Sequence, residues 1–151
     1  MRTVEKTLAI IKPDAVAKKV AGKIISAIEE HAIDIAAMKT VHLSIDDAKR
    51  FYAVHTGKSF FDGLIAFMSG GPCIVLVLEG ENVLERWRDL MGPTDPQNAP
   101  PESIRNRFGT DVRHNATHGS DAPESATAEI AFFFSTLELQ PAHSSRKESD
   151  H

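Results

Sequence analysis

A histidine followed by a helix-start signal is the first feature that could do chemistry. His118-Gly119-Ser120-Asp121 precedes a segment predicted to be helical, with Asp121 as its N-cap and Glu124 as the capping-box partner. The N-terminus of a helix favours negative charge through its free N–H groups and its dipole. A phosphoryl group on His118 would therefore be stabilised there, with Glu129 as the candidate acceptor for the other ring N–H. A structural histidine bonded to a backbone carbonyl fits the same spacing.

A metal site is the alternative interpretation of this segment. His114 and His118 have the i, i+4 spacing that places two imidazoles on one face of a helix. Asn115, Thr117 and Gly119 are poor residues for a helix interior, so the spacing lacks its structural context. This alternative predicts that zinc copurifies in stoichiometric amount.

No familiar phosphate cradle occurs in the sequence. Gly22-Lys23-Ile24 lacks both the earlier glycine and the hydroxyl residue of a phosphate-binding loop, and there is no G-x-G-x-x-G motif. Phosphoryl transfer needs cations around the transferred group. Three candidates lie in separate segments: Lys12, Arg88 and Arg105. Phe60-Phe61 could give one ring to the core and one to a cleft that stacks a base.

Two longer stretches carry a resemblance to a known family. Thr7-Leu8-Ala9-Ile10-Ile11-Lys12-Pro13-Asp14-Ala15-Val16 and Asn115-Ala116-Thr117-His118-Gly119-Ser120-Asp121 resemble the signature sequences of nucleoside diphosphate kinases. Shorter motifs fall between them in the family's order and spacing: Phe51-Tyr52-Ala53-Val54-His55, Phe60-Phe61, Gly71-Pro72, Leu90-Met91-Gly92-Pro93-Thr94-Asp95-Pro96 and Ile104-Arg105. The resemblance covers residues 1 to about 134.

The resemblance implies both a fold and a reaction. The fold is α+β and ferredoxin-like, with a four-stranded antiparallel sheet covered by helices. The reaction is the transfer of the γ-phosphate of a nucleoside triphosphate, typically ATP, to a nucleoside diphosphate. It runs by a ping-pong mechanism through a phosphohistidine at His118, with broad tolerance of base and sugar.

The same match implies catalytic roles for a small set of residues. Glu129 and Ser120 would orient the histidine, and Tyr52 would lie near it and the γ-phosphate. The positions that match the catalytic residues of the family are Lys12, Tyr52, His118, Ser120 and Glu129.

The match also implies how the nucleotide is held. Phe60 and Val112 would sandwich the base without reading its edge, which suits every base because each has a π-face to stack. Lys12 and Asn115 would meet the sugar hydroxyls and the transferred phosphate. The residues expected to hold phosphates are Arg88, Thr94 and Arg105.

The implied cofactor is Mg²⁺, which would ride on the nucleotide phosphates with few protein ligands, Asp121 being a candidate ligand through water. The implied partners are nucleoside tri- and diphosphates and further copies of the chain, in a dimer-based tetramer or hexamer. Lys58-Ser59, Glu102 and Asn106-Arg107 depart from the family's common residues. None of these departures removes a catalytic position, so we expect altered affinity and not loss of activity.

Periodicity predicts the elements that must position these residues. A strand at 7–11 ends before Pro13, which leaves Lys12 at its exit. Ile33 to Leu43 and Cys73 to Leu78 also have strand character, and a further short strand precedes the last helix. Helices are predicted at 22–32, 46–55, 61–69, 82–91, 102–108 and 125–134.

Composition limits the classes of partner. The 151 residues carry 17 Lys and Arg against 21 Asp and Glu, a formal charge of −4, so nucleic acid and anionic membranes are not expected as main partners. No apolar stretch approaches the ~20 residues that cross a bilayer. The single cysteine, Cys73, fits a reducing compartment, and we predict a cytoplasmic protein. Residues 1–134 are predicted to form the kinase domain and 135–151 a C-terminal tail that is disordered or packs on a neighbouring subunit.

Overall fold

The computed structural model describes residues 4–139, which form a four-stranded antiparallel sheet in the order β2-β3-β1-β4. The strands are β1 (Val4–Ile11), β2 (Asp34–Val41), β3 (Cys73–Glu81) and β4 (Thr117–Gly119). The helices are α1 (Pro13–Ala17), α2 (Ala21–Glu30), α3 (Ile45–Phe51), α4 (Phe61–Ser69), α5 (Val83–Met91), α6 (Ile104–Phe108) and α7 (Pro123–Phe133). This arrangement confirms the α+β, ferredoxin-like fold expected from the sequence.

The two central strands are buried on both faces of the sheet. In β1, Leu8 and Ile10 pack into one hydrophobic cluster with residues of α3, α4 and α7. The alternate residues Ala9 and Ile11 pack into a second cluster with residues of α2 and α5. Burial on both faces explains why β1 and β3 appear in the sequence as continuous apolar runs instead of alternating ones.

The pairing of β4 with β1 brings distant parts of the chain together. Ile10 lies opposite His118 in the antiparallel register, and the Lys12 amide donates to the Ala116 carbonyl at 2.8 Å. β1 ends at Ile11 because Pro13 opens α1 immediately afterwards. The exit of β1 and the histidine of β4 therefore meet at one end of the sheet.

The last helix begins at Pro123, two residues before the predicted segment 125–134, but its N-cap lies one residue later than predicted. Its N-cap is Ala122, not Asp121, and the capping interaction comes from Ser125, not Glu124. The Ser125 hydroxyl, at the third helical position, accepts from the Ala122 amide at 2.9 Å and so satisfies the backbone donor of the N-cap residue. The capping-box prediction is therefore wrong in both residues, although the helix itself is present.

Other boundaries differ from prediction by a few residues. The helix expected at 46–55 ends at Phe51 and is followed by a 3₁₀ turn, Ala53–His55. Helix α1 was not predicted, because it is only five residues long and its start signal, Pro13, also ends the preceding strand. The helix at 61–69 has the predicted bounds.

Part of the predicted tail is described and packs on the domain. A 3₁₀ turn spans Thr136–Glu138, Glu138 forms a 3.0 Å ion pair with Lys39, and Leu139 packs against the first hydrophobic cluster. Residues 140–151 of the predicted tail lie outside the described residues. Within residues 4–139 no helix has the length and hydrophobicity needed to span a membrane.

Candidate active site

A cavity of about 650 Å³ lies at the end of the sheet where β1 ends and β4 begins. We call it the main cavity. Nine residues with a predicted role line it: Lys12, Tyr52, Phe60, Thr94, Arg105, Val112, Asn115, His118 and Asp121. Five other side chains that line it received no role in the implied mechanism: His55, Leu64, Asp111, Arg113 and His114.

A second cavity, of about 530 Å³, adjoins the main one. Arg88 lines this side cavity and does not line the main one, and the two cavities share Thr94, Arg105, Gly119 and Asp121. The predicted cations are therefore distributed along two connected spaces. Such an arrangement suits an elongated, multiply charged ligand better than a single small anion.

His118 is held by the carboxylate of Glu129, which does not itself line the main cavity. Its Nε2 lies 2.9 Å from the Oε1 of Glu129, and the Ser120 hydroxyl donates to the same oxygen at 2.9 Å. An ionised carboxylate only accepts hydrogen bonds, so Nε2 carries the proton and Nδ1 keeps its lone pair. Nδ1 has no hydrogen-bond partner within residues 4–139, and the side chain is half-buried at the cavity wall.

The environment of His118 differs from the expected one. It lies in strand β4 and not one turn before a helix, since α7 begins at Pro123. Its backbone carbonyl accepts from Trp87 Nε1 at 3.2 Å, and Gly119 permits the close approach of that indole. A Cβ at Gly119 would lie 2.9 Å from Trp87 Cδ1, closer than side chains pack. The backbone of the histidine is thus fixed by a buried ring.

Lys12 reaches the main cavity from the end of β1. It is buried, and its ammonium donates to the Asn115 Oδ1 at 2.8 Å. Burial and the nearby Arg105 lower the pKa of Lys12 to about 8, while the Asp14 carboxylate opposes that shift. Asp14 also accepts from the Ala116 amide at 3.1 Å and so joins α1 to the segment before His118. The sequence analysis assigned Asp14 no role, because its partner lies 102 residues away.

The two predicted arginines have different surroundings. Arg105 is buried, and its guanidinium donates to the Gly92 and Thr117 carbonyls, each at 2.9 Å. Burial, with a smaller contribution from Arg88, lowers its pKa to about 10. Arg88 is half-exposed and pairs with the exposed Asp121 at 3.2 Å. Arg105 therefore remains cationic at neutral pH.

The aromatic residues divide between the core and the cavity as the sequence allowed. Phe61 is buried, whereas Phe60 is 43% exposed. Val112, on the loop before β4, is also exposed and lines the cavity with Phe60. The ring of Tyr52 meets that of His118 edge-on at 6.4 Å, and burial raises the pKa of Tyr52 well above its usual value. Its hydroxyl is buried without a hydrogen-bond partner in the described structure.

The geometry does not favour the zinc alternative. His114 lies in a loop and His118 in a strand, so they do not share a helical face. Nδ1 of His114 lies 3.0 Å from Asp111, and Nε2 of His118 is bonded to Glu129. Residues 4–139 contain no group of three or more histidine, cysteine or carboxylate side chains arranged to hold a metal ion.

The site combines an oriented imidazole with a free nitrogen, converging cations, and an exposed aromatic ring facing a small apolar side chain. It therefore has the parts of a phosphotransferase that works through histidine and binds a ligand with a flat ring.

Comparison with known proteins identifies the family. Residues 5–139 match the family model described as nucleoside diphosphate kinase. Proteins of that name from Desulfotalea psychrophila and Helicobacter pylori are 55% and 52% identical over 135 residues, which is 89% of this chain and 98% of each relative. The chain therefore belongs to the nucleoside diphosphate kinase family.

Solved structures agree with that assignment. The Aquifex aeolicus nucleoside diphosphate kinase superposes with a TM-score of 0.89 at 46% identity, covering 91% of this chain and 99% of that one. A halophilic enzyme of the same name from Halobacterium salinarum, in complex with CDP, gives 0.89 at 36% identity, covering 96% and 98%.

Proposed function

We propose that this kinase transfers the γ-phosphate of a nucleoside triphosphate, typically ATP, to a nucleoside diphosphate in two half-reactions that share a phosphohistidine at His118. The observation that carries the proposal is the 2.9 Å bond between Nε2 and Glu129, which leaves Nδ1 as the nucleophilic nitrogen. Each half-reaction uses the same cavity, so donor and acceptor bind in turn.

The chemical steps balance without an added acid or base. In the first, the Nδ1 lone pair forms a bond to the γ-phosphorus, the bond to the bridging oxygen breaks, and the diphosphate leaves with that electron pair. In the second, a terminal oxygen of the acceptor diphosphate attacks the same phosphorus, and the N–P electron pair returns to Nδ1. Glu129 keeps its hydrogen bond with Nε2 throughout and stabilises the positive charge that the ring gains.

Charge neutralisation is the main task of the other polar residues in this proposal. Lys12 is proposed to meet the transferred phosphate and, with Asn115, the sugar hydroxyls. The Tyr52 hydroxyl is buried, neutral and unpartnered in the described structure, so it is suited to donate to a phosphate oxygen near His118. The remaining phosphates are assigned to Arg88, Thr94 and Arg105, with support from their positions along the two connected cavities.

The base is proposed to lie between Phe60 and Val112. Both are exposed, and both line the main cavity. Stacking discriminates little between bases, because it uses the ring face and leaves the hydrogen-bonding edge unread. The proposal therefore includes a broad range of bases and sugars.

Mg²⁺ is the proposed cofactor. The described residues contain no group of three or more side chains arranged to hold a metal ion, which suits an ion held by substrate phosphates and water. Asp121 lines both cavities and would contribute through water. When bound, the ion supplies additional positive charge to the phosphates.

The central test is labelling in the absence of an acceptor. Incubation with γ-labelled ATP should give an acid-labile, base-stable phosphoprotein that transfers its label to added GDP or CDP. His118→Ala should not be labelled, whereas His31→Ala, which removes a histidine that lines neither cavity, should be labelled like the wild type. Unchanged labelling of His118→Ala would refute the assignment.

Assembly and location complete the proposal. The enzyme is proposed to be a dimer-based homo-oligomer, a tetramer or hexamer, in the cytoplasm. Light scattering on the whole chain, and on a chain truncated after residue 139, tests the assembly and any contribution of the last residues. Cell fractionation tests the location.

A further inference from the structure

The loop that carries Val112 is closed by hydrogen bonds between its own residues. We call residues 110–114 the base-site arm. The Thr110 and Asp111 amides both donate to the His114 carbonyl, at 2.6 and 3.3 Å, and so close the loop. The nucleotide mechanism assigns no role to the other side chains of the arm, although Asp111, Arg113 and His114 all line the main cavity.

Asp111 forms most of the side-chain hydrogen bonds within the arm. Its Oδ1 accepts from the His114 amide at 2.8 Å and from the Arg113 amide at 3.0 Å, and the His114 ring Nδ1 lies 3.0 Å from the same oxygen. These bonds, the one from the His114 amide foremost, lower the pKa of Asp111 to about 2. The carboxylate is therefore ionised at every pH at which an enzyme of this kind is assayed.

The arm also rests on helix α4 at two points one turn apart. The His114 ring meets the Phe67 ring edge-on at 4.6 Å. The Arg113 guanidinium lies against Gly63, where an added Cβ would be 2.6 Å from the Arg113 Cζ. Phe60 is the N-cap residue of that same helix. The arm and the aromatic side of the base site thus share one rigid element.

We propose that Asp111, Arg113 and His114 are positioning residues that hold Val112 at a set separation from Phe60 and thereby determine affinity for the base of the nucleotide. The inference rests on the proposed function. Val112 is 59% exposed, so its own packing contributes little to its position. An arm that is already ordered lowers the cost of ordering the site when the nucleotide binds.

Asp111→Ala tests the hydrogen bonds within the arm, because it removes the carboxylate that accepts them. We expect KM for ADP and CDP to rise together by about 2- to 12-fold, the range that corresponds to ordering one side chain on binding. The kcat should stay within about twofold, because the bonds of His118 are untouched. The control is Glu29→Ala, which removes an exposed carboxylate on α2. Thermal unfolding should show equal melting temperatures for both variants.

Gly63→Ala separates positioning from general stability. Alanine favours the helix relative to glycine, so the melting temperature should hold or rise. The new methyl group displaces the flexible end of Arg113, so KM for nucleoside diphosphates should also rise. If the arm acted only through general stability, KM would rise only in variants whose melting temperature falls.

A donor that lacks a base completes the test. The rate of His118 phosphorylation by limiting ATP should fall in Asp111→Ala, while the rate with ribose 5-triphosphate should equal that of the wild type. The inference would be overturned by an unchanged KM in both Asp111→Ala and Gly63→Ala. It would also be overturned if Asp111→Ala slowed His118 phosphorylation by the base-free donor as much as by ATP. Labelling of His118→Ala would instead overturn the proposed function, so the two failures are distinguishable.

Discussion

The low pKa of Lys12 leads to a defined pH dependence of catalysis. Burial, with the charge of Arg105, lowers this pKa from 10.5 to about 8. If the ammonium form binds phosphate, activity in the free enzyme should decline as the pH rises through that value. Since kcat/KM reports the ionisation of the free enzyme, it is the parameter to follow.

The expected decline is large enough to measure. With a pKa of about 8, the ammonium fraction falls from about 90% at pH 7 to about 10% at pH 9, so kcat/KM should fall about tenfold. A lysine with an unshifted pKa would lose under about 5% over the same range. Bound phosphates favour the charged ammonium, so the decline of kcat should begin at a higher pH than that of kcat/KM.

The same shift predicts a pH dependence of folding stability. Below pH 8 the lysine is protonated in both states, and the cost of burying its charge is fully present. Between about pH 8 and 10.5 only the unfolded chain keeps the proton, so the free energy of unfolding rises with pH. Relative to Lys12→Gln, the wild type should gain up to about 3 kcal/mol across that window.

The assay uses ATP and ADP, because adenine does not titrate in this range. Lys12→Gln should have low activity without the decline between pH 7 and 9. Asp14→Asn should move the midpoint below that of the wild type, because the Asp14 carboxylate raises the pKa of Lys12. A wild-type kcat/KM that changes less than about twofold over this interval, with a parallel profile for Lys12→Gln, would refute the reasoning.

Two further predictions concern the base site and the backbone. Phe60→Ala should raise KM about equally for purine and pyrimidine nucleotides, by about fivefold or more given the usual value of stacking on one ring, and a loss confined to one base in steady-state kinetics would contradict it. Gly92→Ala should destabilise the protein by about 1–3 kcal/mol in urea denaturation, because Gly92 has φ +85° and an added Cβ would lie 2.9 Å from Ser103. An unchanged urea midpoint would show that this strain is absent.

Local sequence patterns were sufficient to predict most of the helices and strands. The apolar run at 73–78 and the amphipathic segments at 61–69 and 83–91 are read from hydrophobic periodicity, which depends only on residues near one another in the chain. The start of α7 could not be obtained in this way. Asp121 and Glu124 match the pattern of a capping box, but the N-cap is the next residue, Ala122, and Ser125 is the capping side chain.

Sequence motifs predicted residues of which nine line one cavity, but they did not predict the bonds between them. Glu129 was expected to accept a hydrogen bond from His118. The structure adds that His118 Nε2 and the Ser120 hydroxyl bond to the same oxygen of that carboxylate. The environment of Arg105 was not foreseen, because its two carbonyl partners, on Gly92 and Thr117, lie on different sides of α6 in the sequence.

The sequence by itself determined which chemistry is available: one histidine beside a candidate acceptor, a few cations, an exposed aromatic ring and no global positive field. Tertiary structure decided which of these groups meet. Lys12 and His118 are more than one hundred residues apart, and they become neighbours because β4 pairs with β1. Burial along that same junction lowers the pKa of Lys12. Such effects depend on desolvation and on contacts between distant segments, which local periodicity does not encode.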